Sequence, residues 1–133
     1  MDLVVDVYGK TKTFPKEETY AITQQIRKCV VSIPSNISEG AGRNTDSQLK
    51  HFLEISMGSC NELQTQIELS RRLGYHQDEV ANKILDETLQ IYRMILTYYN
   101  GLWKGRDDVP KKVRIFQFIF GESRLSLLSL YSG

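Results

Sequence analysis

Six basic residues carry the chemistry that this chain could perform on an anionic partner: Arg27, Lys28, Arg43, Lys50, Arg71 and Arg72. Arg43 and Lys50 flank the start of a predicted helix, where free backbone N–H groups and the positive end of the helix dipole also favour a phosphate. Arg27 and Lys28 are expected on the solvent side of the preceding helix, opposite its isoleucines. Arg71 and Arg72 fall at a helix end, where a cation already has a local role against exposed carbonyls. Each of the six reads most simply as a solvated charge. Repeated around an oligomeric ring, they would form a continuous positive band able to displace counterions from RNA or DNA. In that arrangement Arg43 is expected to matter more than Arg71 or Arg72.

The remaining reactive side chains form no constellation. A di-iron bundle needs inward glutamates and Glu-x-x-His pairs, but neither His51 nor His76 follows a glutamate by three positions. Cys29 and Cys60 make no CxxC or Cys/His metal spacing. Both sit on predicted apolar faces, where a thiol packs as a small hydrophobe. Ser59 and Cys60 have no neighbouring histidine, and GxSxG is absent, so no activated nucleophile is visible. The run EGAGR at 39–43 lacks GxxxxGK[ST] and follows a helix rather than a strand. It reads as a helix–helix turn, with phosphate binding beside Arg43 as the alternative. No enzyme activity, metal or cofactor is expected.

The elements that must position these residues are helices. A chain of 133 residues is sized for one domain. Its net charge of +1 means that any nucleic-acid contact must come from local clusters or from oligomerisation. The charge is uneven, at −2 over residues 1–103 and +3 over 104–133. Neither a secretory leader nor an 18-residue apolar stretch is present, so a cytoplasmic, membrane-free protein is expected.

Leu3, Val4, Val7 and Tyr8 give a short first helix at 2–12. Pro15 suits the start of a second, at 15–39, whose stripe Ile22, Ile26, Val30, Ile33, Ile37 has a 3.6-residue period. Pro34 lies inside that stripe and predicts a kink, with Ser35 or Asn36 able to satisfy freed backbone groups. Gly40 is expected to stop the helix in a left-handed conformation. Thr45 and Gln48 read as a capping box for a third helix, with the stripe Leu49, Leu53, Ser56, Cys60, Leu63, Ile67. Gly58 and Ser59 are expected at a close helix crossing, which would offset the helix cost of glycine. Gly74 ends this helix. Glu62, Thr65 and Gln66 read as hydrogen-bonding groups of the bundle or of an interface.

A fourth helix at 78–103 carries two stripes: Ile84, Thr88, Ile91, Ile95, Tyr98, Leu102, and Leu85, Leu89, Tyr92, Leu96, Tyr99, Trp103. That face is wider than a bundle corner needs and points to oligomerisation. Short turns make neighbouring helices antiparallel, which gives an all-α, up-down-up-down four-helix bundle over residues 1–103. Residues 104–133 follow as a basic linker, the apolar run RIFQFIF and a Leu/Ser-rich end. This tail is not expected to build the bundle core.

The run SIPSNISEGAGR at 32–43, between FPKEE at 14–18 and ELQTQIELSRRLGY at 62–75, resembles the four-helix-bundle family encoded by intervening sequences of bacterial 23S ribosomal RNA genes. The resemblance spans roughly residues 1–100. Measured against that family, the first helix lacks its opening turns and their large aromatic residue, as in a shortened copy. The resemblance implies a homo-oligomer, a five-fold ring, with a link to RNA and no established catalysis. More distantly, the chain is similar to the basic, pentameric accessory proteins of diversity-generating retroelements, which bind nucleic acid. A protein-interaction scaffold without nucleic acid is the alternative.

Overall fold

The computed structural model describes residues 1–101, apart from the side chains of residues 18–20. The tail 104–133 and the stripe residues Leu102 and Trp103 lie outside the described residues. Four α-helices account for most of the rest: α1 Asp2–Thr11, α2 Gln24–Ala41, α3 Asp46–Arg72 and α4 Asp78–Tyr99. Helix α2 packs along α3, α3 along α4, and α1 against both α2 and α4. Short turns reverse the chain each time, producing the up-down-up-down bundle. Among the described residues no helix is long and apolar enough to cross a membrane.

The helical stripes form the core. Ile26, Val30, Ile33 and Ile37 of α2 meet Leu53, Cys60, Leu63 and Ile67 of α3 and Ile84 and Ile95 of α4, all buried. Ser56 and Thr88, which stand in the same stripes, are fully buried as well. They bond backbone carbonyls, Ser56 Oγ donating to Ile33 O (3.0 Å) and Thr88 Oγ1 to Ile84 O (2.7 Å). Helix α2 continues through Pro34. Asn36 is the neighbour that bonds the backbone there, its Nδ2 donating to Ser32 O at 2.8 Å. Thr45 caps α3 by accepting from Gln48 N–H (3.2 Å), and Gly74 ends it with φ 77°.

Three expectations are corrected. The second helix does not begin as α at residue 15. A 3-10 turn, Lys16–Glu18, and a π-helical turn, Thr19–Thr23, precede Gln24. Gly40 does not stop the helix either. It is buried within α2, and a Cβ there would lie 2.8 Å from Phe52 Cβ and 3.1 Å from Leu49 Cδ1. Its role is close approach, and Gly42 caps the helix in ordinary right-handed geometry. Gly58 is exposed, with nothing within 4 Å of an added Cβ. The crossing instead involves Ser59, one position on, whose hydroxyl lies 2.8 Å from that of Ser32.

Candidate nucleic-acid interface

The six basic residues divide between the two ends of the bundle. Arg43 and Lys50 sit at the α2–α3 turn. Arg71 and Arg72 lie about 32 Å further along α3, at 1.5 Å per residue, and Arg27 and Lys28 are near the start of α2. One chain therefore presents two separate groups rather than one patch.

At the first end, Arg43 is occupied. Its Nη2 meets Glu39 Oε1 at 2.6 Å, and its guanidinium lies 4.9 Å from the centre of the Phe52 ring. Lys50 Nζ is 5.5 Å from the centre of the Tyr99 ring, and Tyr99 donates its hydroxyl to Glu54 Oε1 at 2.6 Å. The Glu39 carboxylate thus pairs Arg43, and the Glu54 carboxylate stands on the tyrosine that Lys50 meets, which weakens this turn as a phosphate site.

Arg71 and Arg72 are also paired. Arg71 Nε donates to Glu68 Oε2 at 2.9 Å, and its Nη1 reaches Asp78 Oδ1 across the α3–α4 turn at 3.3 Å. Arg72 Nε meets Glu68 Oε1 at 3.1 Å. Hydrogen bonds from both arginines hold the Glu68 carboxyl down at about 2. This clasp fastens the turn through carboxylates, where the sequence reading expected the helix-end carbonyls as partners.

Arg27 departs from its expected exposure. It is half-buried, donating from Nε to Thr11 Oγ1 (2.9 Å) and from Nη2 to Tyr8 O (3.4 Å), with its guanidinium 4.8 Å from the Tyr8 ring centre. It ties the end of α1 to α2, because an arginine at this point of the helix faces the α1 backbone rather than solvent. Lys28 is exposed, as expected.

Sequence reasoning missed Lys10, Lys12 and Lys16, which surround the same tie. All three are exposed and, like Lys28, make no ion pair among the described residues. The signal was present in KTKTFPK at 10–16, since residues 10–28 hold five basic and two acidic side chains. The buried Phe14 anchors this turn, its ring 5.5 Å from that of Tyr75 and stacked 5.6 Å from His76. His76 is fixed in turn by Ser70, whose Oγ lies 2.9 Å from its Nε2. The α1–α2 and α3–α4 turns therefore share one end of the bundle, bringing the unpaired lysines to the end that carries Arg71 and Arg72. The Ser70 hydroxyl is fully buried and donates to Ile67 O, so this serine–histidine pair braces a turn.

The thiols are free and buried. Burial pushes Cys29 and Cys60 up to about 12, with the Glu62 carboxylate adding to the shift at Cys29. Cys29 Sγ donates to Ser59 O at 3.1 Å, as a packing thiol on a helix crossing would. Gln66 bridges the crossing, its Nε2 reaching Gln25 Oε1 (3.3 Å) and Glu62 Oε1 (3.2 Å). Thr65 is exposed and bonds only its own helix, at Asn61 O. No cluster of three metal-ligating side chains occurs among the described residues.

No curated protein matches the chain. Among solved structures, a protein of unknown function from the S23 ribosomal protein family of Bacteroides thetaiotaomicron superposes with a TM-score of 0.64 at 21% identity, covering 72% of this chain and 87% of that one. That likeness concerns the fold. The profile of the family described as 23S rRNA-intervening sequence protein matches residues 1–97. The helical pattern and the SIPSNISEGAGR segment agree with that match, and the chain belongs to the 23S rRNA-intervening sequence protein family.

Proposed function

We propose that the protein is a non-catalytic homo-oligomeric bundle that binds structured RNA through its phosphates. The observation that carries this reading is the set of four lysines, Lys10, Lys12, Lys16 and Lys28, exposed around the Arg27 tie without carboxylate partners. Unpaired cations attract phosphate without first breaking an ion pair, whereas Arg43, Arg71 and Arg72 must release theirs. The family's description, which links it to 23S rRNA, supports RNA over DNA. A ring, five-fold as the resemblance implies, would repeat the lysine group and multiply its field. Exposed Ile55, Leu69 and Leu89 supply apolar surface for such assembly. Two free thiols suit a reducing cytoplasm.

The test is binding of one structured RNA across a salt series, with light scattering to fix the oligomer. A Lys12→Ala/Lys16→Ala/Lys28→Ala variant should lose roughly one unit of log–log salt slope for each phosphate contact removed, multiplied by the number of subunits engaged. Arg43→Ala/Lys50→Ala should change the slope less. Wild-type protein with no salt-dependent binding would refute the RNA reading and leave a protein-interaction scaffold. A monomer at micromolar concentration would refute the ring.

A further inference from the structure

Among the described residues three cations lie over aromatic rings: Arg43 over Phe52, Lys50 over Tyr99 and Arg27 over Tyr8. The first two stand with carboxylates, since Arg43 pairs with Glu39 and the Tyr99 hydroxyl donates to Glu54. Arg27 makes no ion pair among the described residues, and Tyr8 remains 39% exposed beside it. We propose that Tyr8 and Arg27 form a stacking site for one unpaired base of the bound RNA. The site rests on the RNA reading and narrows its target to an unpaired nucleotide, in a loop or bulge, rather than a paired stem.

The two groups are held in place before any RNA arrives. Arg27 Nε donates to Thr11 Oγ1 at 2.9 Å, and Nη2 donates to the Tyr8 carbonyl at 3.4 Å. Thr11 is itself buried, and its hydroxyl donates to Val7 O at 2.9 Å. These bonds fix the guanidinium 4.8 Å from the ring centre. A fixed pair loses less side-chain freedom on binding than two free side chains would. Two of the five guanidinium N–H groups serve these bonds, and the rest can meet a nucleotide.

A stacked base brings its own phosphates, and exposed lysines stand beside the ring to receive them. Lys12 follows Tyr8 by four positions and keeps right-handed helical geometry, φ −59° and ψ −27°, which sets it one turn further along the same face. Lys28 follows Arg27 directly and is exposed. Lysines alone would bind a stem and a loop alike, because both present phosphates. An exposed ring adds a contact that only an unpaired base can make, since paired bases are stacked within the stem. Such stacking serves any base, because every base has a π face.

Two RNAs with equal numbers of phosphates test the site, one a fully paired duplex and one a hairpin with an unpaired loop. Each is titrated with the full chain across a salt series, read by fluorescence anisotropy. Wild type should prefer the hairpin. Tyr8→Leu should lose about tenfold in hairpin affinity at an unchanged log–log salt slope, because stacking releases no counterions. Tyr8→Trp keeps a stacking face and should keep the preference. A loss of both RNAs together in Tyr8→Leu would mean that the ring only supports the α1–α2 tie, and overturns the proposal. Should Tyr8→Leu fail to fold, a hairpin with an abasic loop decides with wild type alone. It should bind about tenfold more weakly than the intact hairpin, and equal affinity overturns the proposal. Salt-dependent binding of duplex and hairpin alike by wild type overturns the stacking site and leaves the phosphate reading standing. Binding of neither RNA refutes the RNA reading and this site with it.

Discussion

Along the α2–α3 seam small and polar side chains stand among the large apolar ones, while along the α1 edge the side chains are large, apolar and leave a groove. Gly40, Ser32, Ser56, Cys29 and Ser59 bring two backbones together and link them by hydrogen bonds. Leu3, Val7, Ile33 and Met94 fill space at the other edge without completing it. Close packing at Gly40 tolerates almost no added volume, because Phe52 Cβ and Leu49 already stand where its side chain would begin. An edge built from flexible apolar side chains can repack around a change of volume. The first seam is thus suited to fix the register of the fold, and the second to absorb substitutions.

The sharpest way to break this contrast is to add volume at two glycines. Gly40→Leu should destabilise by about 3 kcal/mol, because its Cβ would meet Phe52 Cβ, which is close to the main chain and cannot swing away. Gly58→Ala should be neutral or stabilise by up to about 1 kcal/mol through better helix propensity. Denaturant unfolding of both checks this. A clear loss at Gly58 would mean that the outer face of α3 is covered in the oligomer.

A second pair compares buried with edge hydrogen bonds. Ser56→Ala removes a fully buried hydroxyl bond to Ile33 O and should cost about 1.5 kcal/mol. Thr11→Val removes the acceptor of Arg27 at the α1 edge and should cost about 0.5 kcal/mol, since the half-exposed guanidinium can turn to water. Equal losses would show that the two edges are fastened alike.

The sequence made the helices and their core stripes legible because a 3.6-residue period records burial directly. It read the Thr45 cap and the Gly74 stop from local rules that need no partner. It misplaced Gly40 and Gly58 because close approach depends on the rotation of one helix against another, which a single stripe does not fix. Both glycines have similar local surroundings, but only Gly40 faces Phe52. At the candidate site the positions of Arg71 and Arg72 were legible as helix-end cations. The loss of Arg27 to α1 was not, because it depends on where the Tyr8 carbonyl and the Thr11 hydroxyl fall in space. Lys10, Lys12 and Lys16 stood in the sequence as a basic turn that the reading passed over, and they are set apart only once the neighbouring cations prove to be paired.

The smallest effect is expected at the Glu68 clasp, which is exposed where the seam is buried. The folded-state Glu68 carboxyl lies at about 2, held below its ordinary value by hydrogen bonds from Arg71 and Arg72. A carboxyl lowered by folding binds its proton more readily in the unfolded chain. Its contribution is therefore complete above the unfolded value of about 4.3 and is lost as pH falls towards 2. Solvent screens such pairs, so the loss should be a small part of the acid destabilisation. Unfolding midpoints of wild type and Glu68→Gln, compared at pH 6 and near pH 2, check the sign: wild type should be the more stable at pH 6, with the gap closing in acid. A gap that stays open at low pH would mean that Glu68 acts through packing at the α3–α4 turn, and the clasp would then belong with the seam rather than in contrast to it.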